Sequence, residues 1–160
     1  MARTTAMAAY GVSIDLPSGW DGEIFLREVD DGPIHREQTA SMVLHAANFA
    51  LPPDRGDFGS GAVNTMGSGG VVVCLVEYDP EAVGTALFDK PLPRSVIGDD
   101  FNPDGLQKPI PGQAGAQAFG SENGRAFCLY AVIGSWLRRN ALAPIINQAL
   151  ATLDIGPRTY

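Results

Sequence analysis

Gly124-Arg-Ala-Phe-Cys-Leu-Tyr-Ala-Val-Ile-Gly-Ser135 is the longest near-unbroken apolar run in the chain. A run of that length, rich in β-branched and aromatic residues, suits a strand covered on both faces. It is read as the central strand of a sheet. Asn123-Gly124 in front of it is a strong signal for a two-residue hairpin, because both central residues of a type I′ turn need positive φ. Ala114 to Glu122 then becomes the hairpin partner, with Glu122 and Arg125 expected to face each other as a weak ion pair at an exposed tip. Val71-Val-Val-Cys-Leu-Val-Glu-Tyr78 is the second continuous apolar strand and its expected neighbour.

Behind the central run, Leu142, Ile145, Ile146, Ala149, Leu150 and Leu153 recur at the spacing of one helix face. This helix is expected to begin at Asn140 or Ala143 with Pro144 in its first turn, and to end at Gly156-Pro157. Arg138 and Arg139 before it read as a solvated corner, since a cation gains nothing from a helix N-terminus.

In the first third, Tyr10 to Leu16 alternates apolar and polar residues, as a half-buried strand does. Pro17-Ser18-Gly19 stops it, and Glu23 to Val29 reads as its hairpin partner, with Trp20 capping the core at the corner. Asp30-Asp31-Gly32-Pro33 is a loop. A third strand is expected from Ala40 to Leu51, ended by Pro52-Pro53. The glycine-rich stretch Asp54 to Gly70 reads as a mobile surface loop, Asp79-Pro80-Glu81 as the start of a short helix, and Asp89 to Gly112 as a long proline-punctuated segment.

These elements add up to an α/β (α+β) fold. A mainly antiparallel, twisted sheet of about six strands carries the C-terminal helix across it, in an α/β/α sandwich-like arrangement. Residues 1–9 are expected to be a disordered tail, 10–156 a single domain and 157–160 a second tail. A chain of 160 residues supports one core without a metal or disulfide.

The formal charge is −7, which argues against sequence-independent binding to nucleic acid, whose affinity comes from Lys and Arg neutralising phosphates. No apolar stretch is long enough for a membrane span, and a cytoplasmic location is expected. Cys74 and Cys128 lie inside apolar runs and read as buried free thiols; a disulfide would need adjacent strands in suitable register.

Chemistry-bearing constellations are few. The glycine stretch 54–70 precedes a strand and contains no Lys, unlike a phosphate loop. Asp100-Phe-Asn102-Pro-Asp104-Gly105 matches the opening of a calcium loop, but position twelve is Pro111 where a bidentate Glu is required. Asp100, Asn102 and Asp104 are thus a weak calcium candidate, set against a turn held by Asx side chains. Cys74 or Cys128 with His35 or His45 lacks the exposed, cationic surroundings of a reactive thiol. Trp20, His45 and Glu77 form a candidate ligand pocket at the sheet edge. No cofactor is expected.

The corner Gly11-Val-Ser-Ile-Asp-Leu-Pro-Ser-Gly-Trp20, followed by antiparallel strands and the closing helix Ala-Leu-Ala-Thr-Leu-Asp-Ile155, resembles the PsbP/DcrB-like superfamily. That superfamily includes a photosystem extrinsic protein and a Ran-binding import factor. Pro111-Gly-Gln-Ala-Gly115 with Gly124-Arg-Ala-Phe-Cys-Leu-Tyr130 looks like uncharacterised actinobacterial proteins. The resemblance implies an antiparallel sheet with outer helices and members that mostly bind other proteins; no functional residue carries over. The functional expectation is a non-enzymatic protein-interaction or assembly domain with a protein partner or self-association. The alternative is a small-molecule binder or hydrolase using the pocket at the sheet edge.

Overall fold

A computed structural model describes residues 3–28 and 40–160. The expected Asp30–Pro33 loop, His35 and the end of the second strand at Val29 lie outside the described residues. Two antiparallel sheets organise the rest. The larger contains β3 (Asp21–Glu28), β4 (Ala40–Ala47), β5 (Val71–Glu77), β7 (Arg125–Ile133) and β6 (Ala114–Glu122), in the spatial order β3-β4-β5-β7-β6. The smaller has the order β1-β2-β8, from Thr5–Ala9, Val12–Leu16 and Asp154–Ile155. The fold is α+β, with five strands in the main sheet where about six were expected.

The central run behaves as its composition requires. Every residue of β5 and β7 is buried, because the sheet carries a layer on each face. On one face lie α2 (Arg139–Leu150) and the small sheet, packed through Leu142, Ala143, Ile146, Ala149 and Leu150 against Val71, Val73, Leu75, Leu129, Ala131 and Ile133. On the other, α1 (Ser60–Thr65) brings Ala62 and Val63 onto Val72, Cys74, Cys128, Tyr130 and Val132. The Asn123-Gly124 hairpin closes as its sequence demands, with φ of 50° and 72°.

Several local expectations are corrected. Residues 5–9 are not a disordered tail: they form β1, paired with β2 through a two-residue turn in which Tyr10 and Gly11 have φ of 53° and 77°. Gly11 is required there twice over, since an added Cβ would also lie 2.5 Å from the Pro157 carbonyl oxygen. β2 and β3 are not a hairpin. The Pro17–Trp20 turn, closed by Trp20 N–H donating to the Pro17 carbonyl at 3.1 Å, hands the chain from the small sheet to the large one. β4 stops at Ala47, before the prolines, because the Asn48 side chain bonds Val71 N–H and the Gly69 carbonyl. The glycine-rich stretch contains α1 and covers the sheet. Helix α2 ends at Leu150, Pro144 falls in its second turn, and the chain then adds β8 to β2. Residues 157–160 are docked, as described below.

Among the described residues no helix is long and apolar enough to cross a membrane. Cys74 and Cys128 lie on the same sheet face as free buried thiols. Burial pushes both thiols up, Cys128 to about 11, so both stay protonated at neutral pH.

The chain turns sharply after β7 where Gly134 meets Gly67, whose carbonyl oxygen would lie 1.9 Å from an added Cβ. Gly134→Ala should therefore destabilise the protein by about 1–3 kcal/mol, the usual cost of overpacking. A urea midpoint unchanged from wild type would show that this crossing yields without cost.

Candidate functional site

Two polar clusters stand on opposite faces of the large sheet. The register pairs His45 with Cys74, so His45 shares its face with Val72, Cys74 and α1. Glu77 alternates with Val71, Val73 and Leu75 and faces the small sheet. Trp20 packs against the core on that second face. The structure thus divides the candidate pocket of Trp20, His45 and Glu77: a one-residue difference in parity puts His45 and Glu77 on different sides of one sheet.

On the α1 face, His45 is completely buried. Arg55 Nε–H donates to His45 Nδ1 at 3.0 Å, and His45 Nε2 lies 2.7 Å from the Asp57 carbonyl oxygen. Those partners assign the neutral tautomer with the proton on Nε2. Burial lowers the imidazole pKa most; the Asp57 carbonyl opposes that shift and the Arg55 charge adds to it. Arg55 also donates to the Pro52 carbonyl at 2.8 Å and to the Glu23 carboxylate. Arg27 reaches the Asp57 carboxylate at 3.3 Å and the Glu77 backbone carbonyl at 3.3 Å. Phe25 stands edge-on to the imidazole, with centroids 5.2 Å apart.

Two clefts share Glu23, Pro53 and Arg55. One of about 390 Å³ adds Phe25, His45 and Asp57; one of about 370 Å³ adds Asp21, Gly22 and Leu51. Their chemistry is already committed, since both imidazole nitrogens and all three Arg55 nitrogens are engaged. The cluster pins residues 52–57 to β3 and β4.

On the other face, Glu77 and Arg125 form a two-pronged ion pair, Nε to Oε2 at 2.9 Å and Nη2 to Oε1 at 2.8 Å. Arg125 is 1% exposed. The expected hairpin-tip pair is thereby corrected. Glu122 and Arg125 are opposite each other along the backbone, but Glu122 bonds Arg94 while Arg125 turns inward. A buried partner able to satisfy the whole guanidinium edge outcompetes a solvated one. Tyr160 O–H donates to Glu77 Oε1 at 2.5 Å and accepts from Met42 N–H at 2.7 Å. Burial first, then the hydrogen bond and charge of Glu77, push the phenol up to about 12. Arg125 also donates to the Gly156 carbonyl at 3.1 Å, and an Arg158 nitrogen lies 3.7 Å from Glu77 Oε2.

Of the calcium candidates, Asp100 Oδ2 accepts from Ile97 N–H and Asn102 Oδ1 from Asp104 N–H, each at 2.8 Å. They hold two short 3-10 turns, Gly98–Asp100 and Pro103–Gly105. No group of three or more His, Cys, Asp or Glu side chains converges among the described residues.

Two further features stand apart from these clusters, the second of them lined in part by the long proline-punctuated segment 89–112. At the N-terminal end of α2, Leu137 is 89% exposed, between half-buried Trp136 and exposed Arg138. Ile97, 61% exposed, precedes Gly98, which packs against Arg139 and Asn140. Arg139 stacks over Trp136 at 4.0 Å, whereas the Arg138 side chain has no hydrogen-bond or ion-pair partner among the described residues. The second feature is a groove of about 290 Å³ beside β6. The Trp-Leu-Arg-Arg run was readable as an exposed apolar tip only if Leu137 was known to fall outside the helix face.

No protein-family model, curated protein or solved structure matches the chain.

Removing one member of the buried pair leaves the other charged and unpaired. Arg125→Met should cost about 3–5 kcal/mol, and Glu77→Leu in addition should recover much of it. Equal midpoints for single and double variants in urea would contradict the pairing. His45 gives the pH signature. Its folded pKa is lowered, so its stabilising contribution is full above the unfolded value near 6.5 and is lost as pH falls through the folded value. His45→Gln should flatten the thermal midpoint's decline below about pH 6.5, compared with wild type.

Proposed function

We propose that this protein is a non-enzymatic interaction domain that docks a protein partner through the N-terminal end of α2. One observation carries the reading: Leu137 and Ile97 hold apolar side chains in water at the same end of the helix, beside an unengaged Arg138. An isolated exposed leucine is ordinary, but exposed aliphatics with an aromatic and a cation beside them form the composition of an interface core. The whole chain carries a formal charge of −7, and Arg138 and Arg139 are adjacent cations on that acidic background. Complementarity therefore favours a partner with an acidic rim around an apolar centre. The internal commitment of His45, Arg55 and Glu77 supports a role without acid–base chemistry. The two buried free thiols suit a reducing compartment, the cytoplasm, and the acidity disfavours nucleic acid as the partner.

Membership of the PsbP/DcrB-like superfamily is part of this proposal. It rests on the Leu16-Pro-Ser-Gly-Trp20 corner and the closing helix, and it agrees with a binding role for the fold.

A photo-crosslinking residue at position 137 of the full chain, expressed in its native cells, should yield a discrete protein adduct of defined mass. The adduct should fall at least tenfold in Arg138→Glu. The same residue at exposed position 81 serves as control, and light scattering of the purified chain identifies a second copy as the partner if that is what is captured. Crosslinking at 137 no stronger than at 81 overturns the proposal.

A further inference from the structure

Residues 91–102 form a strap along the outer edge of β6, and the two run out of step. The strap touches β6 at Pro91–Ser121 and Asn102–Gly115. Between those bridges the strap takes eleven peptide steps and the strand six. Both ends are tight. Ser121 N–H donates to the Lys90 carbonyl at 2.8 Å, and Asn102 and Gly115 exchange N–H to carbonyl bonds at 2.9 and 3.0 Å. A Cβ on Gly120 would lie 2.7 Å from Leu92 N, and one on Gly115 would lie 2.5 Å from the Gly105 carbonyl oxygen. Gly120 lets the strap close in at one end, and Gly115 admits the turn at Gly105 just beyond its other end; the extra chain must bow outward between them.

The bow is held open. Asn147 on α2 accepts from Val96 N–H and donates to the Val96 carbonyl, both at 2.8 Å, while Arg94 donates to the Leu153 carbonyl at 2.7 Å. The Asn147 bonds hold the middle of the strap on α2, and Arg94 bridges the Leu153 carbonyl and the Glu122 carboxylate at the end of β6. The space left is the groove of about 290 Å³, with Ala116, Ala118, Leu129 and Ala131 among its lining residues. Small side chains make this surface shallow and flat. At about 30 Å³ per water-sized atom it holds about ten non-hydrogen atoms.

Its polar groups are specific. Gly115 and Ser121 turn their backbone groups outward to the strap, and residues two apart on a strand address the same edge. Gln117 therefore presents its N–H and carbonyl to the groove, and no backbone hydrogen bond from the strap reaches them among the described residues. This is an unpaired stretch of sheet edge, the feature that extended peptide groups recognise. Asp100 also lines the groove; one carboxylate oxygen caps Ile97 N–H and the other has no hydrogen bond among the described residues.

We propose that the groove binds a small apolar amine bearing a peptide-like amide, such as the amino-terminal residue of an extended peptide. Its side chain lies on the alanine surface, its amide pairs with the Gln117 backbone, and its ammonium meets Asp100. This site is separate from the α2 surface proposed above, and either can fail without the other.

L-Leucinamide is the probe, titrated into the isotopically labelled full chain and followed by amide chemical shifts. Saturable shifts confined to residues 93–100, 115–119 and 129–131 are expected. Asp100→Asn, which keeps the cap on Ile97, should weaken binding about tenfold, the value of one charge-assisted hydrogen bond. N-acetyl-leucinamide, without the cation, should lose at least as much. Ala118→Leu should abolish binding by filling the groove; Ala118 is half-exposed, and an unchanged melting transition establishes that this variant folds. Tighter binding of Leu-Ala-Ala amide than of leucinamide identifies a polypeptide end as the source, and equal binding a free amine. No saturable shifts at millimolar probe overturns the proposal. So does binding that Ala118→Leu leaves intact, or equal affinity for the acetylated compound.

Discussion

The Glu77–Arg125 ion pair is the constraint around which the two sheets are joined. Both charges are withdrawn from water, which is unfavourable unless every donor and acceptor finds a partner. The surrounding chain supplies those partners from distant places. Tyr160 donates to the carboxylate, the Gly156 carbonyl receives the third arm of the guanidinium, and the Tyr10-Gly11 turn closes over it with Gly11 so near that a Cβ would lie 2.8 Å from Arg125 Nη1. Tyr10 meets Tyr160 edge-on at 5.6 Å. The N-terminal hairpin and the C-terminal segment are thus both ordered by one buried charge pair, which explains why residues 5–9 and 157–160 are docked on the core.

The same pair shows what could and could not be read from the residues. Arg125 follows an Asn-Gly turn, and local rules make such a residue a solvated hairpin tip. Its true partner lies 48 positions earlier in the chain, and nothing in the spacing connects them. The hairpin itself was legible because positive φ at two adjacent residues narrows the choices to Asn and Gly. The Tyr10-Gly11 turn uses the same geometry with a tyrosine, held in place by tertiary contacts with Tyr160, so the local signal was missing. Periodicity placed α2 and the two central strands, since burial on both faces leaves a mark on every residue. It could not say which sheet β2 and β3 joined, because a strand's pattern records that it has a buried face and not who its neighbour is.

The candidate site failed for a related reason. His45 and Glu77 are unusual residues in apolar strands and Trp20 sits at a turn, and all three are ordered by the core. Whether His45 and Glu77 meet depends on the register of β4 against β5, and a shift of one residue exchanges the faces. With the observed register, each polar group acquires its own network: Arg55 and Asp57 for His45, Arg125 and Tyr160 for Glu77. Polar networks of this kind favour a unique packing.

The open chemistry lies instead where two elements compete for a third. The backbone groups of Val96 in the strap 91–102 can pair with β6 or with the Asn147 side chain, but not with both. Asn147 takes both backbone groups of Val96, and β6 keeps the strap at its two ends and through the Arg94–Glu122 ion pair. An edge strand left fully bare would invite uncontrolled pairing, and one fully covered would have nothing to offer. Pinning the strap at Gly115 and Gly120 while drawing off its middle exposes a short length of edge between two closed ends. Restricting the length of the opening favours a short segment over an extended strand, and the narrow floor of alanines restricts its bulk. Selectivity at this edge thus follows from the disagreement in length between strap and strand.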